Sequence, residues 1–115
     1  MFIKVITMNR KKIISLAHSL ILENINKDSI IVDATCGNGH DTLFLATHCK
    51  HVHAFDIQEQ AINNSKLLTS DFSNITFYHK SHEEITSTID DYDGVIFNLG
   101  YLPGSNKEIK TNLHT

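Results

Sequence analysis

Four short apolar runs, at residues 29–34, 51–56, 74–79 and 93–98, are each closed by a turn-forming or polar stretch. Continuous rather than alternating hydrophobicity marks strands covered on both faces, as in a parallel sheet. The runs start about twenty residues apart, which leaves room for one crossover helix between neighbours. Helical spacing fills those intervals. Residues 42–47 place Leu43, Leu45 and Ala46 inward, and residues 59–68 place Ala61, Ile62, Ser65 and Leu68 inward. A shorter, weaker helix is predicted from Ser81 to about Ile89, with Glu83 and Glu84 favourably placed in its first turn. Ahead of the first strand, residues from 10 to about 26 form an amphipathic helix, with Ile13, Ile14, Ala17, Leu20, Ile21 and Ile25 on its apolar face.

At 115 residues the chain holds one domain, 1–115, with its α/β core over about 29–98. An apolar fraction of 41% and a charged fraction of 20% are those of a globular protein and argue against disorder. No apolar run approaches the ~20 residues of a membrane-spanning helix, and the first ten residues lack the apolar stretch of a secretory signal. Cys36 and Cys49 make no disulfide framework. Together these predict a cytoplasmic protein in a reducing compartment, with no membrane partner. A net charge of −3 is not the footprint of a protein held to nucleic acid mainly by bulk electrostatics. The local cluster Lys4, Arg10, Lys11 and Lys12 reads as a solvated terminus before it reads as a phosphate-binding patch.

Most of the chemical information lies between Val32 and Thr42. The segment Asp33-Ala34-Thr35-Cys36-Gly37-Asn38-Gly39-His40-Asp41-Thr42 runs from a buried strand through a Gly-x-Gly turn into a helix. Glycine permits positive φ and close approach of the backbone to a ligand. The N–H groups of the following helix can receive an anionic group. Asp56 ends the second strand, where a carboxylate can hold a ribose diol. A dinucleotide fold would place a third glycine where Thr42 stands. An acid before the turn, Asp33, suits instead a ligand carrying an ammonium and a sulfonium. Acids that end buried strands need such a reason.

This arrangement resembles the first two motifs of the class I S-adenosylmethionine methyltransferases. The resemblance implies a Rossmann-like three-layer α/β sandwich with a parallel sheet in the order third, second, first, fourth strand. It implies S-adenosyl-L-methionine as cofactor, with Asp33 facing the methionine amino group and Gly37, Asn38 and Gly39 wrapping the methionyl and ribose parts. Asp41 and Thr42 open the helix beside the methionine moiety. Asp56 takes the ribose hydroxyls, Ile57 and Gln58 flank the adenosine, and Ser81 and His82 border the adenine. For Ser81 and His82 the alternative is a helix N-terminus with nothing bound.

The fourth run ends in Asn98-Leu99-Gly100-Tyr101-Leu102-Pro103-Gly104, an acceptor loop over 98–104. Asn-x-x-Tyr is similar to the Asn-Pro-Pro-Tyr loop of amino-group methyltransferases, and implies catalytic roles for Asn98, orienting an amine, and Tyr101, stacking on a base. The alternative is an ordinary turn after a strand. Combined with Phe-Asp-Ile-Gln-Glu-Gln-Ala-Ile at 55–62, these motifs resemble the bacterial tRNA 5-(aminomethyl)-2-thiouridine methyltransferases, long labelled rRNA methylases, over about residues 13–111. That family implies N-methylation of the 5-aminomethyl group of wobble 2-thiouridine, with the tRNA anticodon arm as partner. Alternatives are methylation of an rRNA amine, or a non-catalytic remnant that binds S-adenosylmethionine.

The chain stops soon after the acceptor loop, where such enzymes continue with more helices and strands, so the fold is expected to be C-terminally incomplete. Nothing after Asn98 reads as another strand. An open fourth-strand edge then predicts marginal stability, self-association as a homodimer, and weak methyl transfer. Eight histidines, among them His51 and His53 on one face of a strand, lack a second pair of ligands with matching spacing, so no metal is expected. His40, inside the turn, reads as a packing or positioning residue, and Cys36 is not expected to act as a nucleophile.

Overall fold

The computed structural model describes residues 6–7, 10–97 and 108–109. Its elements run β1 (Ile6–Thr7), α1 (Arg10–Leu22), β2 (Ile30–Asp33), α2 (His40–His48), β3 (His51–Asp56) and α3 (Glu59–Leu68). They continue with β4 (Ile75–His79), a 3₁₀ turn (His82–Glu84), α4 (Ile85–Thr88), β5 (Gly94–Ile96) and β6 (Glu108–Ile109). The chain divides into two units, Asn24–Phe97 and a second made of Met1–Glu23 with Asn98–Thr115.

The unit Asn24–Phe97 is built on a four-stranded parallel sheet in the order β4-β3-β2-β5. This is the predicted order, with the first of the four predicted strands, β2, inside the sheet. Neighbouring residues on a strand face opposite ways, and the core divides accordingly. Ala54 packs with Cys36, Ile62, Ile75 and Phe77 on the face covered by α3. Phe55 packs with Val32, Ala34, Ile85 and Ile89 on the other, where α4 and its flank close the layer. Val32, Val52, Ala54 and Phe55 have no exposed surface, so the two central strands β2 and β3 are covered on both sides, while the outer β4 and β5 are only half-buried. The Asp93 carboxylate accepts the N–H of Ile30 at 2.7 Å and its own N–H donates to the Ile30 carbonyl, which fixes the entry of β5 beside β2.

In the other unit, β1 and β6 pair antiparallel, Ile6 opposite Ile109 and Thr7 opposite Glu108. This corrects the expectation that no strand follows Asn98; two residues, one of them charged, carry too little hydrophobic signal to be read. Helix α1 ends at Leu22, earlier than the predicted 26. Just beyond, Asn26 turns the chain: its Oδ1 accepts the N–H of Asp28 at 2.8 Å while its own N–H donates to Ser29 Oγ at 3.0 Å. Side chains that bond the local backbone in this way compete with helix. On α1, Ile13 is buried and Ala17 and Ile21 are half-buried, whereas Ile14 and Leu20 are exposed, so the apolar stripe is narrower than predicted. The predicted helix from Ser81 is divided into the 3₁₀ turn and the four-residue α4.

Candidate functional site

The parallel sheet brings the carboxyl ends of its strands to one edge. Asp33 ends β2 in register with Ala54 and Ile96, and Asp56 ends β3 in register with His79. The central β2 has its neighbours β3 and β5 on opposite sides, the switch point at which open α/β sheets form a ligand crevice.

Asp33 is 1% exposed, and Thr42, in the first turn of α2, is 0% exposed. The Thr42 hydroxyl donates to Asp33 Oδ2 at 2.7 Å. Burial pushes the Asp33 carboxyl up to about 6; the Thr42 bond and a backbone N–H of Thr35 pull it down, while the charges of Asp41 and Asp56 push it further up. A buried acid near neutrality is a group whose ionised form gains much from a cationic partner.

The turn between Asp33 and Thr42 continues the pairing of the sheet. Ala34 N–H donates to the Ile96 carbonyl at 2.9 Å, and Cys36 N–H donates to the Phe55 carbonyl at 2.8 Å. Gly37 and Gly39 then take φ of 54° and 93°, the left-handed region in which a side chain is strained. Gly39 N–H closes the turn on the Cys36 carbonyl at 2.9 Å, and its own carbonyl starts α2 by accepting Leu43 N–H at 2.8 Å. The two glycines differ in surroundings. A Cβ on Gly37 would meet nothing within 4 Å, whereas one on Gly39 would lie 2.8 Å from Ser65 Cα. Close backbone approach at Gly39 is therefore to α3.

Asp56 ties this turn to the next strand. Its Oδ2 accepts Gly37 N–H at 3.0 Å and its Oδ1 accepts Gln58 N–H at 2.9 Å. Asn38 is exposed, with its Oδ1 3.4 Å from Asn64 Nδ2 on α3. Asp41 is half-buried in the first turn of α2, and His40 and Gln58 are exposed. Ile57 presents its side chain to solvent while its carbonyl lies 2.9 Å from His79 Nε2. A carbonyl only accepts, so that ring nitrogen carries the proton.

Ser81 and His82 stand on the loop after β4. Ser81 Oγ accepts Glu83 N–H at 3.2 Å and caps the 3₁₀ turn. The exposed His82 ring meets Phe97, just past β5, edge to face at 5.6 Å. Asn98 and Tyr101 lie outside the described residues. Thus two hydrogen-bonded groups flank the glycine turn, Asp33 with Thr42 and Asp56 with the Gly37 and Gln58 backbone, with Asn38 and Asp41 on their border. Ser65, read from the sequence only as an inward position on its helix, joins the Asp56 group through its hydroxyl bond to Gly37. The available signal was a small polar residue in a buried row otherwise made of Ala61 and Ile62.

Other candidates are accounted for locally. His51 Nε2 lies 2.8 Å from Thr76 Oγ1, and His53 Nδ1 lies 2.9 Å from Tyr78 Oη. Burial and the neighbouring His51 hold the His53 imidazole below its ordinary pKa. Among the described residues no three His, Cys, Asp or Glu side chains converge as metal ligands. Burial pushes the Cys36 thiol up to about 11, which makes it a poor nucleophile.

A family model described as "Putative rRNA methylase" matches residues 52–115. The chain belongs to this family. A chloroplastic tRNA (mnm(5)s(2)U34)-methyltransferase of Arabidopsis thaliana is 34% identical over 119 aligned residues, covering 89% of the chain and 43% of that protein. Among solved structures, a Streptococcus mutans protein in complex with SAH (S-adenosylhomocysteine) superposes with a TM-score of 0.71 at 39% identity, over 85% of the chain and 56% of its own. An rRNA methylase from Streptococcus thermophilus superposes with a TM-score of 0.73 at 38% identity, over 81% and 58% respectively. The chain thus spans about half the length of the relatives it matches. The sheet order and flanking helices of unit Asn24–Phe97 are the Rossmann-like α/β fold of the methyltransferases in this family.

Proposed function

We propose that the chain is the donor-binding part of an S-adenosylmethionine-dependent RNA methyltransferase whose acceptor is the 5-aminomethyl group of wobble 2-thiouridine in tRNA. The observation that carries this reading is the buried Asp33 carboxylate held by Thr42 beside a glycine turn, with Asp56 at the end of the adjoining strand. The donor set fits the cofactor. A carboxyl raised to about 6 favours an ammonium partner, Gly37 leaves open the space that a side chain would fill, and Asp56 retains lone pairs for hydroxyl donors beyond its two backbone bonds.

On this reading Asp33 holds the methionine ammonium, and Gly37, Asn38 and Gly39 present backbone to the methionyl and ribose parts. Asp41 and Thr42 support the methionine side, Asp56 accepts from the ribose hydroxyls, and Gln58, Ser81 and His82 border the adenosine. When bound, S-adenosylmethionine supplies an activated methyl group on a sulfonium. Asn98 orients the acceptor amine by accepting a hydrogen bond from its –NH₂, and Tyr101 stacks on the base. The amine must be neutral to attack, so its proton leaves to solvent or to a nearby acceptor. The tRNA specificity draws support from the Arabidopsis relative, a tRNA (mnm(5)s(2)U34)-methyltransferase, mnm(5)s(2)U being the N-methylated form of the proposed acceptor. The anticodon arm is the expected partner.

The test is incubation of the protein with S-adenosylmethionine and tRNA bearing 5-aminomethyl-2-thiouridine, followed by nucleoside analysis. Appearance of the N-methylated nucleoside, lost in Asn98→Ala with SAH affinity retained, supports the reading. Methylation confined to rRNA would move the substrate. SAH binding without transfer to either RNA would leave a binding module only, and absence of SAH binding would overturn the assignment.

A further inference from the structure

Ser65 lies on α3, outside the motifs that carry the family resemblance, yet it touches the glycine turn at both ends. Its hydroxyl donates to the Gly37 carbonyl at 2.8 Å, and Cys36 Sγ lies 3.5 Å away. Its backbone occupies the space beside Gly39 that any Cβ there would enter, 2.8 Å from Ser65 Cα and 3.0 Å from Ser65 Cβ. The residue is fully buried, and its own carbonyl accepts the Thr69 backbone N–H at 3.0 Å as well as the Thr69 hydroxyl at 2.7 Å, so its place on the helix does not depend on that hydroxyl.

We infer that Ser65 is a positioning residue for the donor site: it holds the Gly37–Gly39 turn in its ligand-ready conformation by bonding the Gly37 carbonyl and leaving room only for glycine at Gly39. This rests on the proposed binding of the methyl donor at the turn. Two features make the hydroxyl matter for binding as well as for folding. Gly37 has no side chain, and nothing lies within 4 Å of the position its Cβ would take, so no packing on that side braces it. Its N–H is already committed to Asp56, so the Ser65 bond to its carbonyl fixes the orientation of the next peptide group. A turn that samples other conformations binds more weakly in proportion to the fraction that is competent.

The experiment compares wild type, Ser65→Ala, Ser65→Cys and Thr69→Val in the full chain. Thr69→Val removes a buried hydroxyl bond from the same helix without touching the turn. SAH affinity is measured by calorimetry at a temperature where all four are folded, together with hydrogen exchange at the amides of Gly37, Asn38 and Gly39. Ser65→Ala should weaken SAH binding roughly 3- to 10-fold, the effect of one lost hydrogen bond, and speed exchange at those amides. Ser65→Cys, whose thiol is a weak donor of similar size, should fall between it and wild type. Thr69→Val should lower thermal stability with affinity and turn exchange unchanged. Wild-type affinity in Ser65→Ala, or an equal loss in Thr69→Val, would overturn the inference. Failure of wild type itself to bind SAH would instead count against the donor site on which the inference rests.

Discussion

Thr42 Oγ1 and Asp33 Oδ2 lie 2.7 Å apart, and this bond joins the end of the central strand to the first turn of α2. Both side chains are buried, so water cannot take over for either partner. The bond supports the charged form of Asp33 against a burial effect that opposes it. The two residues act as one unit in which α2 sets the ionisation of the acid at the end of β2.

Replacing the hydroxyl by a methyl isolates that effect. Thr42→Val should cost about 1.5–3 kcal/mol at pH 7, the range for a hydrogen bond to a charged group. The loss should shrink at pH 5, where Asp33 is largely protonated. Urea unfolding at both pH values measures it, and an equal loss at each would show that the bond does not depend on the charge of Asp33.

The raised Asp33 carboxyl makes stability depend on pH with a definite sign. Its folded value is about 6 against an ordinary 3.8, so between these values the folded chain keeps a proton that the unfolded chain has released. Stability should therefore fall as pH rises from about 4 to about 6 and then level off, by about 3 kcal/mol in all at 1.36 kcal/mol per pKa unit. A ligand ammonium selects the ionised form, so SAH affinity should rise roughly tenfold between pH 5 and pH 7. The nearby Asp41 and Asp56 charges act on the same carboxyl. Asp33→Asn should remove both dependences, and their persistence would assign them to another group.

Asp56 serves the turn as well as the site, because its two carboxylate oxygens accept Gly37 N–H and Gln58 N–H. The sequence alone suggests that Asp56→Ala leaves the fold largely intact; the structure adds a stability cost. The variant should bind SAH about 10- to 100-fold more weakly, and should lose roughly 1–2 kcal/mol of stability as two N–H groups lose their acceptor. Calorimetry paired with thermal melts separates the two effects. Unchanged affinity would remove Asp56 from the donor site.

What could be read from the sequence was whatever repeats at short range. The bounds of β3 and α3 follow from runs and spacings within a few residues of each other, whereas the order of the four parallel strands follows only from the resemblance to the methyltransferases. The Thr42–Asp33 bond was hidden because it spans a strand, a turn and a helix, and nothing in composition shows that a threonine in a first helical turn faces back into the core. Ser65 was legible as an inward position but not as a turn partner, since its bond to Gly37 crosses 28 residues. Helix α1 was overextended because the apolar Ile25 continues its period, although the helix ends at Leu22 and Asn26 bonds the turn that follows. The β1–β6 pair was missed because two residues per strand give no alternation to read.

The two turn glycines provide the sharpest separation between conformational strain and collision. Both have positive φ, 54° at Gly37 and 93° at Gly39. An alanine at Gly37 would sit in the left-handed well with no atom within 4 Å of its Cβ, so Gly37→Ala should cost only about 1–2 kcal/mol. At Gly39 the same change adds a Cβ 2.8 Å from the Ser65 backbone, which cannot yield without displacing α3. The angle of 93° also lies outside the left-handed well that alanine tolerates. Gly39→Ala should therefore cost more than ~3 kcal/mol, the level reached when overpacking adds to backbone strain. Urea unfolding of the two variants side by side checks this ranking. If Gly39→Ala were as stable as Gly37→Ala, α3 would not be packed against the turn, and the tie from Ser65 to Gly37 would lose its basis with it.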